Sequence, residues 1–429
     1  MAFRGVLGLN ARNHIYSARY NPEKAKRVAN SKLLTKSMLK KAKLPVPRLF
    51  RVFRSKEEVE KFDFSRLPAS FVVKPNRGLG GEGIVVIDKG GVWAGEWVDT
   101  GGVTWKVGDL KLHIEDILEG RFSMQGVADI AFVEERIPIH PVLEKYVYQG
   151  APDIRVIVFN RVPVMAMLRL PTRESHGRAN LYQGAIGVGI DLATGVTTWG
   201  IWHETEVVFA PGTRRKLFGI KVPEWHEVLE LAVRCQEETG LGYLGADIVL
   251  HPERGPMVLE LNAQPGLKIQ LCNRAGLLAR LSRVEDLKVK SVEHGIRIAQ
   301  ALFADPKVAE LTGAGVKTIG VFEDVEVVNL KTAERVKVKA KVDTGAYSSS
   351  VDQKLAEAWG LLSQDNVITE KRVRSALGRE KRPVVAMTFW LGGKKVKTVA
   401  TVSDRSNLKR AMIVGRRDLG GFLVRGGEG

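Results

Sequence analysis

The chain has 429 residues, 44% hydrophobic and 27% charged, which allows two or three domains with cores of their own, while two cysteines, Cys235 and Cys272, offer no disulfide framework or thiolate zinc site. No apolar run reaches membrane-spanning length, and Arg4 and Asn10 interrupt the N-terminus where a signal peptide is apolar, so a cytoplasmic protein with no membrane partner is expected. The formal charge of +18 gathers at the ends, with 15 Lys/Arg against 4 Asp/Glu in residues 1–60 and 21 against 13 in residues 318–429; without a nucleic-acid module, an acidic polypeptide is a better partner than nucleic acid, and much of this charge reads as solvated lysine.

Residues 22–43 read as one helix, since Leu33, Leu34, Met38, Leu39 and Ala42 recur at three- and four-residue spacing before Pro45 and Pro47. Phe71-Val72-Val73-Lys74-Pro75 is an apolar strand ending in a lysine. Asn76-Arg77-Gly78-Leu79-Gly80-Gly81-Glu82-Gly83 follows, and then the strand Ile84-Val85-Val86-Ile87. Gly78, Gly80, Gly81 and Gly83 can adopt positive φ, and successive N–H groups of such a loop converge on phosphate oxygens. No Gly-Lys-Ser/Thr opens a helix and a strand follows the glycines, so the segment is neither a Walker loop nor a dinucleotide fingerprint. It is a flexible flap, over a nucleotide or over nothing.

Further on, Asp153 and Arg155 share one strand face, Arg169 closes the next strand, and Arg173, His176, Arg178 and Asn180 occupy a polar loop. Guanidinium groups suit phosphate or carboxylate, though any single arginine is as readily a surface ion pair. Two apolar runs, Gly245–Leu250 and Val258–Ala263, are joined by His251-Pro252-Glu253-Arg254-Gly255-Pro256. Folding them together brings Asp247 near Glu260, with Asn262 on the Glu260 face. Three oxygen ligands on a polar face suit Mg²⁺, which usually also holds substrate phosphates.

Taken together, these segments resemble the ATP-grasp superfamily over roughly residues 28–280. Arg19-Tyr20-Asn21-Pro22, Pro152–Phe159, Met165–Thr172, Ala179–Ala185 and Leu259–Leu267 are similar to the RimK-type, alpha-L-glutamate ligase-like group. The resemblance implies an α+β fold of two lobes clasping ATP, and an ATP- and Mg²⁺- (or Mn²⁺-) dependent ligase that phosphorylates a carboxylate and lets an amine attack the acyl phosphate. It implies that Lys32 and Lys74 reach ATP and that residues 78–83 cover its phosphates. Glu134, Glu135, Arg136 and Ile137 would form the adenine-side hinge, with one of the two glutamates turned inward, and Glu144 would be a ribose candidate. Arg169 would stabilise the acyl phosphate, while Arg155, Arg178 and Asn180 would shape the acceptor pocket. The substrates implied are an amino acid such as glutamate and a peptide or small acid. Many RimK-type ligases carry a further α/β domain ahead of the first helix, where this chain has residues 1–21, so contacts made by that domain are not expected.

Residues 284–317 read as a helical exit and linker, with Ala314-Gly315 marking the break. From Thr318 the pattern turns to period two, and Val336–Val342 delivers Asp343-Thr344-Gly345-Ala346, with Met412-Ile413-Val414-Gly415-Arg416-Arg417-Asp418-Leu419 later. This resembles a small all-β retropepsin-like barrel, of the type found beside RimK-type ligases and often labelled an ATP-dependent zinc protease. One Asp-Thr-Gly supplies one carboxylate, so proteolysis would need a homodimer through this domain, and no His/Cys/Glu cluster supports zinc. Peptide binding and proteolysis both stay open. The expected order is a basic helical segment (1–49), ligase body (50–283), linker (284–317) and retropepsin-like domain (318–429). Two alternatives remain: an ATP-grasp kinase that does not ligate, and a peptide-binding or protease module regulated by the ATP site.

Overall fold

Asn30 and Ser31 divide the expected 22–43 helix in two, α1 (Glu23–Ala29) and α2 (Lys32–Lys41). Ser31 is extended, and its hydroxyl accepts the Leu34 N–H at 3.2 Å, capping α2. Buried Asn76 locks the break from outside: its side-chain oxygen accepts from Ser31 Oγ and Leu33 N–H, both at 3.0 Å. The computed structural model describes all residues except 1–3, 79, 92–94, 124–125, 306–307, 309–316, 376–377, 421 and 426–429, so Ala314-Gly315 lies outside the described residues. The chain forms two compact units, Met1–Val308 and Ala309–Gly429.

The first unit carries two antiparallel sheets. One has the order β1 (Leu49–Phe53), β6 (Ala131–Glu134), β2 (Phe71–Pro75), β3 (Val85–Gly91), β4 (Glu96–Asp99) and β5 (Thr104–Lys106). Helix α3 (Val107–Leu118) buries Leu110, Ile114, Ile117 and Leu118 in the core that also holds Phe53, Phe71, Val73 and Trp97. The other sheet has the order β11 (Thr205–Val207), β10 (Thr197–Trp202), β9 (Ile186–Ile190), β8 (Val162–Leu170), β7 (Asp153–Phe159), β12 (Tyr243–His251) and β13 (Gly255–Asn262). Strands β7, β8 and β12 are buried at every position, which is why they read as continuous apolar runs broken only by charges that matter. Helices α4 (Trp225–Thr239) and α5 (Val292–Phe303) contribute Val228, Leu229, Ala232, Ile296 and Ala299 to that core.

The second unit pairs β14 (Lys317–Ile319) with β22 (Phe422–Val424) and closes a ring of β15 (Phe322–Val328), β16 (Arg335–Asp343), β21 (Met412–Gly415), β17 (Ser350–Asp352), β20 (Lys394–Ser403) and β19 (Gly378–Leu391), with β18 (Val367–Ser375) beside β19. This six-strand barrel packs Val325, Val327, Val342, Val385, Phe389 and Val414 inside. The lysines of β16 face a complementary strand: Lys337 lies opposite Glu326 and Lys339 opposite Asp324. Part of the C-terminal basic charge is thus matched within the barrel.

Asn21 ties the N-terminal segment to the second sheet. It is 1% exposed, donates to the Tyr243 and Ala263 carbonyls at 2.7 and 3.1 Å, and accepts the Tyr243 N–H at 2.9 Å. Asn21→Ala leaves buried partners unsatisfied and is expected to cost about 2–4 kcal/mol. Urea titration measures this directly, and an unchanged midpoint would show that the asparagine is not an anchor.

Candidate active site

Register aligns the charges of four strands. Arg169 on β8 is paired with Asp153 on β7, while Arg155 on β7, Asp247 on β12 and Glu260 on β13 stand opposite one another in turn. Arg155 grips Asp247 with Nε and Nη2 at 2.7 and 2.6 Å. Arg169 reaches Asp153 with Nε and Nη2 at 2.5 and 2.6 Å, and the same Nη2 donates to Asp247 Oδ2 at 2.7 Å. The Asn262 amide donates to that oxygen at 3.3 Å. Burial alone would raise the Asp247 pKa, but the two guanidinium groups hold it below the usual carboxylate range. Burial, with the neighbouring Asp247 charge, lifts Asp153 to about 6 against the pull of Arg169. Asp247 is therefore engaged by arginine on both oxygens, whereas the Glu260 side chain is 37% exposed.

A second charged group lies across the cleft. Glu134 at the end of β6 is 1% exposed and is paired with Lys74 at 2.5 Å through Oε1 and with Lys36 at 2.6 Å through Oε2. Burial would raise its pKa, yet the two lysines hold it below the ordinary value. Glu135 turns the other way, to the Arg48 N–H at 3.1 Å and to Arg254, as strand alternation requires. Arg136 pairs with Asp88 at 2.9 Å, and Ile137 packs with Val249 and Met257.

The glycine loop is fastened from three elements. Lys32 Nζ donates to the Gly78 carbonyl at 3.0 Å and stands 3.9 Å from Glu260. Asn180 donates to the Gly80 carbonyl at 3.1 Å, and a side chain on Gly81 would meet the Arg178 stem. At the root, Gly83 (φ +69°) lies on Phe122, where a Cβ would stand 2.6 Å from the ring, and its carbonyl accepts from His113 Nε2 at 3.0 Å.

One cavity of about 980 Å³ is lined by Lys32, Lys74, Gly78, Gly80, Gly81 and residues 134–137, and by Arg155, Arg169, Arg178, Asn180, Asp247, Glu260 and Asn262. Gly83 is its structural root rather than its wall, and Glu144, exposed at the end of the helical turn Pro141–Glu144, does not line it. Asn180 lies on the flap tip as well as in the acceptor region assigned to it by resemblance. Lys36, Asp153, Arg12 and Tyr182 are additions. Lys36 is one helical turn beyond Lys32 on the same face, a spacing that could have flagged it.

The profile described as "Sugar-transfer associated ATP-grasp" matches residues 11–286. The chain belongs to that ATP-grasp family. Among curated proteins none matches the chain. Of solved structures, the ATP-grasp ligase PsnB, complexed with a phosphomimetic variant of its minimal precursor, Mg and ADP, is 19% identical over 61% of this chain and 62% of that one, with a TM-score of 0.29. The L-amino acid ligase of Bacillus licheniformis is 13% identical over 59% and 47%, with a TM-score of 0.35. The protease of Simian Foamy Virus (mac) is 20% identical over 23% of this chain and 91% of that one, with a TM-score of 0.17. The chain spans less than two thirds of the length of either ligase. Likeness at this level assigns no residue role in this ATP-grasp chain.

His113 makes the flap root sensitive to pH. Burial depresses its pKa below 6.5, only partly offset by the Gly83 carbonyl, with Asp116 and Arg121 acting in opposite directions. The neutral ring donates Nε2–H to Gly83. Because the folded-state pKa is depressed, its contribution to stability is complete above pH 6.5 and is lost as pH falls through the folded value. Protection factors for the amides of residues 82–85 are expected to drop on acidification in the wild type and to stay flat in His113→Gln. Parallel profiles would remove His113 as the pH-sensitive group.

Proposed function

We propose that the chain is an ATP- and Mg²⁺-dependent ligase that joins a carboxylate to an amine through an acyl phosphate. The observation that carries this reading is the single cavity in which a lysine pair, a glycine flap, an acidic hairpin and two arginines converge. Its two ends differ in chemistry. Lys32, Lys74 and the loop 78–83 supply cations and backbone N–H groups to a polyphosphate, while Ile137 and Val249 offer an apolar wall to a base.

Glu260 and the Asn262 carboxamide offer oxygen donors of the kind that hold Mg²⁺ or Mn²⁺, and such an ion would neutralise phosphate charge there. Asp247 fits the same donor set, but Arg155 and Arg169 hold it first. An incoming phosphate or carboxylate competes for those guanidinium groups and releases the aspartate to the acidic side of the cleft.

In the reaction, a substrate carboxylate oxygen attacks the γ-phosphorus and the bond to ADP breaks. An amine then attacks the acyl carbon, the acyl C–O bond breaks, phosphate departs and the amine gives its proton to solvent. Arg169 is placed to face the transferred oxygens, with Arg155, Arg178 and Asn180 around the acceptor. Asn180 and Lys32 hold the flap carbonyls, which favours a covered site that excludes water from the acyl phosphate.

A RimK-like addition of glutamate to a peptide or small acid is the first substrate pair to test. Because the matching family is described as sugar-transfer associated, amino sugars are a second acceptor class to test. The barrel favours peptide binding over proteolysis: Asp343 accepts N–H groups from Gly345 and Ala346 at 3.0 and 3.2 Å, and these outweigh burial and lower its pKa. A retropepsin-like dyad would need Asp343 of a second copy.

ATP consumption across amino acids, short acidic peptides and amino sugars, with mass spectrometry of products, tests the reading. An amide product supports ligation, while a stable phosphorylated product without amide would replace it with a kinase. Glu260→Gln is expected to lower turnover by about a hundredfold or more with the fold intact. Wild-type turnover in that variant would overturn the metal assignment.

A further inference from the structure

Lys36 does not itself line the cavity, yet it is among the most buried lysines of the ATP-grasp unit, with a side chain 6% exposed. It projects from α2 one turn after Lys32, and its ammonium meets Glu134 Oε2 while Lys74 meets Oε1. The three groups form a buried set of two cations and one anion. Glu135, the next carboxylate along β6, is already occupied by Arg254 and the Arg48 N–H.

A lysine paired alone with a buried glutamate is electrically spent: the carboxylate cancels its charge at close range. A glutamate divided between two lysines cancels neither fully. Lys74 lines the cavity, so the surplus positive charge of the set is available there. We propose that Lys36 is a positioning residue that shares Glu134 with Lys74, so that the carboxylate does not cancel Lys74 alone and Lys74 keeps charge for a phosphate group.

This inference rests on the reading that the cavity holds a polyphosphate. Burial and the neighbouring Lys74 charge pull the Lys36 pKa down, and Glu134, with a smaller contribution from Glu135, resists that pull, so the ammonium relies chiefly on the Glu134 carboxylate it meets. Lys36 therefore acts through Glu134 and has no need to meet substrate.

The test is calorimetric binding of ATP, inorganic tripolyphosphate and adenosine to the full chain. Lys36→Met should weaken ATP and tripolyphosphate by about tenfold, because one shared unit charge is lost at buried distance, and should leave adenosine unchanged. Lys36→Arg keeps the charge and should bind ATP within about twofold of wild type. The discriminating variant is the double replacement Lys36→Met/Glu134→Gln. With the carboxylate also neutral, Lys74 regains its charge, and tripolyphosphate binding should recover toward wild type. A purely structural lysine would give equal losses for all three ligands and no recovery in the double variant, and either result overturns the inference. Equal ATP affinity in wild type and Lys36→Met overturns it alone, whereas a wild-type chain that binds neither ATP nor tripolyphosphate overturns the nucleotide reading and this inference with it.

Discussion

The buried Arg155–Asp247–Arg169–Asp153 chain of charges is the constraint around which the ATP-grasp unit is arranged. Two guanidinium groups and two carboxylates occupy three adjacent strands that are otherwise apolar apart from Tyr243 and His251. Removing any one member strands an uncompensated charge, a cost on the order of 3–5 kcal/mol. Such a cluster is poor value as a source of stability, since apolar residues of similar volume would serve as well. Its presence in the cavity that Lys74 and the glycine loop also line is better explained by what the charges do there. Both Asp247 oxygens are held by arginines that an anionic substrate would also seek, so ligand binding and counterion exchange are coupled at this site.

The Glu134 side of the cavity repeats that arrangement, one carboxylate between two cations. Glu134 holds two lysines, one at the cavity and one behind it. The flap between the walls is glycine-rich and has little side-chain packing of its own at residues 78, 80 and 81. Its position comes from carbonyls held by Lys32, Asn180 and His113, each from a different element. A loop held largely by such bonds opens at lower cost than one anchored in a core, which suits the covered nucleotide site proposed for it.

How much of this was legible beforehand depends on sequence separation. The hairpin that sets Asp247 opposite Glu260 could be read because its two strands and turn are contiguous and alternate cleanly. The glycine flap was legible for the same reason. The Arg155–Asp247 fork joins residues 92 apart, and the Gly83–His113 bond spans 30, so neither leaves a local pattern. Lys36 shares the Lys32 face of its helix, but so does the exposed Lys40, and only the placement of Glu134 tells the two apart. The single helix expected over 22–43 failed at Asn30–Ser31, where a cap held by the distant Asn76 outweighed the apolar spacing. The barrel's strands followed from period-two alternation, but their ring closure through β15 and β19 depends on a pairing that no local pattern records.

The two units also manage charge by different physics. In the ATP-grasp unit the ion pairs around Asp247 and Glu134 are buried, short and shielded from salt. In the barrel, Lys337 and Lys339 lie across from Glu326 and Asp324 on strands whose lysine face is exposed. Cross-strand pairs of that kind contribute little to stability and weaken further as ions screen them. Salt therefore acts unequally along this chain: it loosens the barrel's surface ladder first, while the cluster around Asp247 responds only to an anion small enough to enter the cavity and compete for its arginines.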